Sequence, residues 1–443
     1  MQSKENRTEH IKRTLDAAVD TIVKQKERFV QKPNKDFTRN RKISMKDTIK
    51  LVLSMEGGSL NREIHNYSQA AGTKLTAAAF VQQRSKISSS AFQTLFHLFN
   101  MNSCDKKTYR GYHLLAVDGS DINQSRNPDA DTFVINSSCP NGYNQTHLNA
   151  LYDLCNKTYI DIELEPRPTA NEQKALITML TRKNFPQNSI IIADRGYVAY
   201  NVIAHLLVSG SEFLLRLRGG SGAMAAVREL PMKPLDIDIS PVITTTQTNE
   251  DKANKRCFLQ TGSKKGKLNS PKTKIHQWDF PSPYTLRFRV VRFLLDSGEY
   301  ETIATSLPRD KFPPEEIKKL YHMRWDIETS FRELKYNIGL VNLHCKKEDL
   351  VRQELYAALI MYNFCSRISN AVNAVSEVRK KYQHKINFSM AVYLCRKYYR
   401  QLISCTLLLQ ELVSYTEPIR PGRQDNRNVI SKRFVGFSYR IAA

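Results

Sequence analysis

The segment YHLLAVDGSD, at residues 112–121, decides the fold of this 443-residue chain. Its apolar run LLAV has the length and composition of a buried strand, and the run ends at Asp118. Two further β-patterned segments follow, THLNALYDLC at 146–155 and KTYIDIELEP at 157–166, with a turn between them around Asn156. We therefore predict three successive strands at the start of an α/β region.

The elements after these strands predict a particular α/β fold. Residues 170–183 have helical periodicity, and NSIIIADRGY at 188–197 is typical of a buried strand that ends in a turn. Residues 198–208 are helical again, and EFLLRLRG at 212–219 is typical of another strand. Three strands, helix, strand, helix and strand is the order of a ribonuclease-H-like fold. The predicted fold class is α/β, with a ribonuclease-H-like catalytic core.

Composition divides the chain into five regions. We predict a helical DNA-binding region at 1–110, the first part of the core at 111–218 and a β-rich insertion at 219–305. The second part of the core, with a catalytic helix, is predicted at 306–345. A basic helical region for DNA contact or dimerisation follows at 346–443. Helical regions therefore flank the core at both ends.

Charge and composition restrict the class of partner. The formal net charge is +24, from 67 Lys and Arg against 43 Asp and Glu, which favours a polyanion such as double-stranded DNA. No run reaches the roughly 18 apolar residues of a membrane span, and the N-terminus lacks the pattern of a secretion signal. The eight cysteines include no CxxC pair, so neither a zinc site nor a disulfide framework is indicated. We expect a cytoplasmic protein with no membrane partner.

Two aspartates that follow buried strands are candidates to hold a divalent cation. Asp118 follows LLAV, and Asp194 follows IIIA. Carboxylates at the carboxyl ends of strands in one sheet can share hard cations such as Mg²⁺, which prefer oxygen ligands. Taken singly, each aspartate also fits a turn former that bonds nearby backbone. Asp121 competes for the first position, but it lies beyond the turn expected at Gly119.

A sharper pattern lies in YHMRWDIETSFRELKYNIGL, at residues 321–340. We predict a single continuous helix here. At about 100° per residue, four of its side chains fall within roughly 60° of arc on one face: Tyr321, Arg324, Glu328 and Lys335. This face suits a carboxylate that binds a cation, beside two cationic side chains and a phenol that contact phosphates. The alternative is a solvated face with an ion pair between Arg324 and Glu328.

Together, this helix motif, the DGS after the first strand and the DRGY after the fourth resemble the bacterial DDE transposases with a Tyr-Arg-Glu-Lys signature, the insertion-sequence family numbered four. The resemblance covers about residues 112–340 and is only general at the two ends. It implies that Asp118, Asp194 and Glu328 are the catalytic, metal-binding residues, with Mg²⁺ as the metal and Mn²⁺ as a substitute. A β-rich insertion before the glutamate is also a feature of that family.

The resemblance further implies an activity and a set of DNA contacts. Family members cut DNA at the ends of a mobile element and transfer those ends to target DNA, which implies a homodimeric synaptic complex and a bacterial, nucleoid-associated location. Tyr321, Arg324 and Lys335 would hold phosphates near the cut. Relatives place a base-capturing tryptophan in the insertion, where Trp278 stands, whereas Trp325 is expected in the core.

The last of the predicted N-terminal helices is a candidate DNA-contacting element. It carries Arg84 and Lys86 and resembles the polar, basic helix of a helix-turn-helix arrangement. A plain helical bundle explains the same pattern equally well. Which of the two regions that flank the core reads bases is left open by the sequence.

The sequence leaves two alternatives to a transposase open. One is a ribonuclease-H-like nuclease that cleaves without strand transfer, for which a metal-binding triad would suffice. The other is a catalytically silent DNA-binding protein derived from a transposase. The helix motif favours the transposase, because a general nuclease would not need it.

Overall fold

The structure is a computed structural model, and the residues that it describes are 2–39, 41–72, 74–103, 107–137, 139–261, 276–373 and 383–419. Parts of the predicted insertion and of the predicted C-terminal region lie outside these ranges. None of the described helices combines the length and the apolar character that a membrane span requires.

A mixed sheet forms the centre of the molecule, and helices cover both of its faces. The first six strands and the two helices among them are β1 (His113–Gln124), β2 (Phe133–Asn136), β3 (Cys139–Asp153), β4 (Thr158–Pro166), α6 (Glu172–Arg182), β5 (Ser189–Ala193), α7 (Tyr200–Ser209) and β6 (Glu212–Arg216). β1 pairs antiparallel with β3, which pairs antiparallel with β4, while β1, β5 and β6 are parallel neighbours. This is the predicted order of strands and helices, with β2 as an addition.

The segment predicted as an insertion extends the same sheet. Its elements are α8 (Ala225–Arg228), β7 (Leu235–Ile239), β8 (Val242–Thr244), α9 (Asn249–Ala253), β9 (Cys257–Phe258), β10 (Tyr284–Thr285), β11 (Phe288–Leu294) and β12 (Tyr300–Thr305). β12 pairs antiparallel with β6, and β11 and β7 follow it outward. Within this segment, β8, β9 and β10 instead form a separate small sheet. Three strands of this segment, β7, β11 and β12, belong to the central sheet, and its status as an insertion stays a prediction.

The remaining helices come from both ends of the chain. The N-terminal set is α1 (Gln2–Lys24), α2 (Met45–Ser54), α3 (Leu60–Ala71), α4 (Ala77–Arg84) and α5 (Ser89–Met101). The later elements are α10 (Pro314–His322), α11 (Trp325–Tyr336), α12 (Glu348–Asn373), β13 (His384–Ile386), α13 (Phe388–Tyr399), α14 (Cys405–Ser414) and β14 (Thr416–Pro418). α12 contacts α1, α2, α5, α13 and β4, so helices from the two ends share one core.

Alternation along the strands separates two cores. Leu114 and Ala116 of β1 face the core that contains α10, α11 and α12, whereas Leu115 and Val117 face the core that contains α6 and α7. β5 alternates in the same way. Strands buried on both faces are continuous apolar runs, and this explains LLAV and IIIA.

Arg84 is buried between the N-terminal helices and α12, and the prediction that it contacts DNA is wrong. Its side chain is 1% exposed and donates hydrogen bonds to Gln353, Glu354 and the carbonyl of Leu350 at 2.7 to 3.0 Å. Burial alone would raise the pKa of Glu354, but the charge of Arg84 and the hydrogen bonds from His344 outweigh it and lower that pKa. Arg84 therefore joins two parts of the chain.

We expect the Arg84→Met variant to lose about 3 to 5 kcal/mol of unfolding free energy, because removing one partner of a buried ion pair leaves the other uncompensated. Urea-induced unfolding followed by circular dichroism at neutral pH measures this loss. Lys86→Met is the matched control, since Lys86 is only half-buried and bonds to Gln83. Similar stability of the two variants would contradict the structural role of Arg84.

Candidate active site

Asp118 and Asp194 reach the same edge of the sheet because β1 and β5 are parallel neighbours. The last residues paired between these strands are Val117 and Ala193, so each aspartate is the next residue along its own strand. β1 itself does not end there, since its pairing with β3 continues to Gln124. Asp118 therefore lies where the parallel partner ends, and the turn expected just after it is absent from β1.

The helix that carries the third carboxylate is interrupted, so the prediction of one continuous helix is wrong. α10 ends at His322 and α11 begins at Trp325. At this junction the amide of Arg324 donates to the carbonyl of Tyr321, and that of Ile327 donates to the carbonyl of Arg324. These bonds span three residues rather than four, as in a 3₁₀ turn. The motif residues thus belong to two helices and the turn that joins them.

Side chains from this junction meet the two aspartates. The Tyr321 hydroxyl donates to Asp194 Oδ1 at 3.2 Å. The Arg324 guanidinium contacts Asp118 Oδ2 at 3.4 Å and Glu328 Oε1 at 3.1 Å, and its side chain is 4% exposed. The phenol and the guanidinium therefore connect all three predicted carboxylates.

Burial dominates the electrostatics of this cluster. It raises the pKa of Asp118 to about 6, and the negative charges of Glu328 and Glu172 act in the same direction. The Gly119 amide and the Arg324 guanidinium oppose this rise but do not cancel it. Because Asp118 is buried beside other carboxylates, an added positive charge would stabilise its ionised form.

Lys335, the fourth residue of the motif, lies further along α11. It is half-buried and lines a cavity of about 110 Å³ together with Asp121 and Asn123. Burial lowers the pKa of Lys335, and the charge of Asp121 opposes this effect. The side chain is therefore near the far end of β1.

The opposite side of α11 is fixed by buried tyrosines. The Tyr159 and Ser330 hydroxyls lie 2.9 Å apart, and the Tyr362 hydroxyl donates to Glu333 Oε2 at 2.8 Å. Tyr159 belongs to β4 and Tyr362 to α12, so the helix is held by the sheet on one side and by α12 on the other. This packing restricts the position of the carboxylate on α11.

Two polar side chains of β3 lie opposite Gly119 and Asp121 and were not predicted from the sequence. Pairing places Asn149 opposite Gly119, and His147 opposite Asp121. His147 Nδ1 lies 2.6 Å from Asp121 Oδ1, and a Cβ atom at Gly119 would come within 2.5 Å of His147 Nε2. Gly119 is therefore required for close packing. The sequence does contain a signal for them, because His147 and Asn149 are two polar residues, two positions apart, in an otherwise apolar strand segment.

Glu172, which lies against Gly196, was also not predicted from the sequence. Glu172 is the first residue of α6, which begins after Asn171 accepts a hydrogen bond from the Lys174 amide. A Cβ atom at Gly196 would come within 2.5 Å of Glu172 Oε2. The glycine of DRGY therefore makes room for this carboxylate.

The two tryptophans have different surroundings. Trp278 is half-buried, its ring packs against Phe280 and Tyr284, and its Nε1 donates to the Pro281 carbonyl. Trp325 is 44% exposed, so its predicted core position is wrong. A DNA contact by Trp278 stays a prediction, as it does for Lys86.

The donor set suits a hard divalent cation. Asp118 and Glu328, which both contact Arg324, and Asp194, which accepts from Tyr321, offer the oxygen ligands that Mg²⁺ prefers. In the residues that the structure describes, however, no three or more His, Cys, Asp or Glu side chains stand close enough to form a ready cation site. The guanidinium contacts the carboxylates in this arrangement, and a cation would need them to turn towards one another.

A protein with this sheet and this carboxylate site belongs to a known class. The family described as "Transposase DDE domain" matches residues 109–364, more than half of the chain, so the chain belongs to this family. It is 42% identical over 55 residues to the transposase InsG for insertion sequence element IS4 of Escherichia coli (strain K12), a match that covers 12% of each chain. It is 32% identical over 66 residues to the transposase for insertion sequence element IS421 of Escherichia coli, covering 15% of this chain and 18% of that relative.

A solved structure also aligns with most of the chain. It is the cryo-EM structure of a piggyBac transposase synaptic complex with hairpin DNA. The alignment covers 95% of this chain and 84% of the piggyBac chain, at 10% identity and a TM-score of 0.43.

We expect Asp118→Asn to stabilise the protein at neutral pH, by about 3 kcal/mol if the pKa of about 6 is compared with the ordinary 3.8. The folded state binds the Asp118 proton more tightly than the unfolded state, so wild-type stability falls as pH rises from about 4 through 6. Asparagine cannot ionise and avoids that loss. Urea unfolding at several pH values should show a gain that disappears below about pH 4. The exposed Asp129→Asn control should show no such pattern, and a gain independent of pH would contradict this cause.

Proposed function

We propose that this protein is a DNA transposase of an insertion sequence, which binds element ends and catalyses DNA cleavage and strand transfer by cut and paste. Membership of the transposase DDE domain family supports the reaction class. The short match to InsG supports placement in the insertion-sequence family numbered four. Double-stranded DNA is the proposed partner, a homodimer the proposed assembly, and the bacterial cytoplasm, at the nucleoid, the proposed location.

One observation carries the proposal. Asp118 and Asp194 follow the last paired residues of two parallel strands, and hydrogen bonds from Tyr321 and Arg324 join them to the helix that bears Glu328. Carboxylates from separate elements meet at one sheet edge only when the whole fold is formed. Such convergence is typical of a reaction site rather than of solvated surface charges.

We assign Asp118, Asp194 and Glu328 as the residues that hold the cation, Mg²⁺ with Mn²⁺ as a substitute. When bound, the cation supplies Lewis-acid chemistry for the phosphate, the attacking oxygen and the leaving oxygen. The raised pKa of Asp118 supports this assignment, because a nearby positive charge favours the ionised carboxyl.

Tyr321, Arg324 and Lys335 are assigned to the DNA phosphates near the cut. Arg324 already contacts two carboxylates, so in this proposal it exchanges at least one of them for a phosphate oxygen. Tyr321 keeps Asp194 oriented through its hydroxyl until substrate is bound. The net positive charge of the chain favours DNA binding, while the phosphate contacts position the DNA without reading its sequence.

We expect Glu328→Gln to abolish both cleavage and joining, because the amide cannot supply the negative charge that a divalent cation requires. Purified protein, Mg²⁺ and a labelled duplex that carries the flanking element end provide the assay, with a plasmid as the joining target. Asp326→Asn is the matched control on the same helix, since Asp326 pairs with Lys157 away from the site. Its activity should stay near that of wild type.

The other outcomes of this assay separate the alternatives. Cleavage by wild type without joining would favour a nuclease and sink the transposase proposal. Binding of the duplex without cleavage would favour a silent DNA-binding protein. Full activity of Glu328→Gln would show that the Glu328 carboxylate does not bind the catalytic cation.

We expect Lys335→Gln to weaken DNA binding uniformly across sequences and to reduce the slope of log affinity against log salt by about one, because one phosphate contact is lost. Fluorescence anisotropy at several salt concentrations, with the element end and an unrelated duplex, measures both effects. Lys157→Gln serves as the control, since this lysine pairs with Asp326. An unchanged slope for Lys335→Gln would contradict a phosphate contact.

A further inference from the structure

His147 is a buried side chain with one unused polar atom. Its side chain is 8% exposed, and Nδ1 lies 2.6 Å from Asp121 Oδ1. Nε2 is buried and has no hydrogen-bond partner among the described residues. Burying a polar atom without a partner is unfavourable, and buried polar atoms in folded proteins usually have one.

The unused atom of His147 points towards Glu172. Nε2 lies 3.8 Å from Glu172 Oε1, just beyond hydrogen-bond distance. Glu172 is also next to Gly196, where a Cβ atom would meet its Oε2, and His147 is next to Gly119 in the same way. The imidazole and the carboxylate thus occupy the space that two glycines leave open.

These two glycines adjoin the aspartates of the proposed cation site. Gly119 follows Asp118 directly, and Gly196 is two residues after Asp194. The charge of Glu172 is close enough to act on Asp118. Glu172 comes from the start of α6, on the other face of the sheet from α11.

We propose that Glu172 is a fourth carboxylate of the cation site and that the Asp121–His147 pair positions it. This rests on the proposed function, because it assumes that the site binds a divalent cation. Glu172 adds negative charge between the two backbones that carry the aspartates. His147, oriented by Asp121, completes its hydrogen bonding when Glu172 turns towards it. Replacing a side chain that supports a metal site from just outside its ligands typically lowers the metal affinity 10- to 100-fold.

Mn²⁺ binding to the full-length protein, measured from the electron paramagnetic resonance signal of the free ion, tests this proposal without any need for activity. We expect Glu172→Gln to raise the dissociation constant for Mn²⁺ at least about tenfold. Glu229→Gln, at an exposed glutamate at the end of α8, should bind Mn²⁺ as wild type does. Glu172 is 41% exposed, so its replacement should leave folding intact.

Two variants of His147 separate positioning from packing. His147→Gln keeps a polar group near the Nε2 position and should retain most of the Mn²⁺ affinity. His147→Leu keeps the volume without the hydrogen bond and should lose affinity about as Glu172→Gln does. Equal binding by both variants would show that His147 only fills space and would overturn its positioning role.

Asp118→Asn in the same titration distinguishes failure of this proposal from failure of the proposed function. Reduced binding by Asp118→Asn with unchanged binding by Glu172→Gln would overturn the fourth carboxylate alone. Wild-type binding by Asp118→Asn, or no Mn²⁺ binding by wild type, would overturn the proposed cation site and this inference with it.

Discussion

The parallel register of β1 against β5 is the constraint on which the rest of the site depends. It pairs Val117 with Ala193 and so brings the next residue of each strand to one edge. The alternation of side chains along each strand then decides which face of the sheet a residue occupies. Asp118 continues the series of Leu114 and Ala116, which face the core of α10, α11 and α12. A slip of one residue would turn a strand's side chains to the other face of the sheet and separate its aspartate from the helix motif.

Local sequence patterns predicted the parts of the fold that local interactions determine. The runs LLAV and IIIA predicted buried strands because strands covered on both faces need continuous apolar residues. The same runs identified Asp118 and Asp194, which the structure brings to one edge. The residues of the helix motif were also identified, and Tyr321 and Arg324 contact the two aspartates. Their roles in catalysis stay predictions.

Other features depend on residues distant in the chain, and no local pattern contains them. Arg84 has the composition of a surface cation, but its partner Glu354 lies 270 residues further on. The sequence does not predict the interruption at Arg324, because one tighter turn hardly disturbs a helical period of 3.6 residues. The apolar run before Asp118 predicts a strand end there, whereas pairing with the antiparallel partner β3 continues β1 to Gln124.

The glycines beside the aspartates are explained by close packing rather than by the backbone flexibility that glycine usually provides. Gly119 has no positive φ among the backbone torsions of this chain, so conformational freedom does not explain it. Its value is the absence of a side chain, which lets His147 approach the backbone from the neighbouring strand. Close packing of this kind makes the position of Asp118 rigid, at the expense of tolerance to substitution.

The sharing of one core by α12 and the N-terminal helices has a consequence for biosynthesis. Apolar faces of α1, α2 and α5 are covered by a helix that begins at Glu348. During translation these helices leave the ribosome hundreds of residues before their covering partner, and domains of this size expose apolar surface until they are complete. The N-terminal core therefore cannot be completed until α12 has left the ribosome.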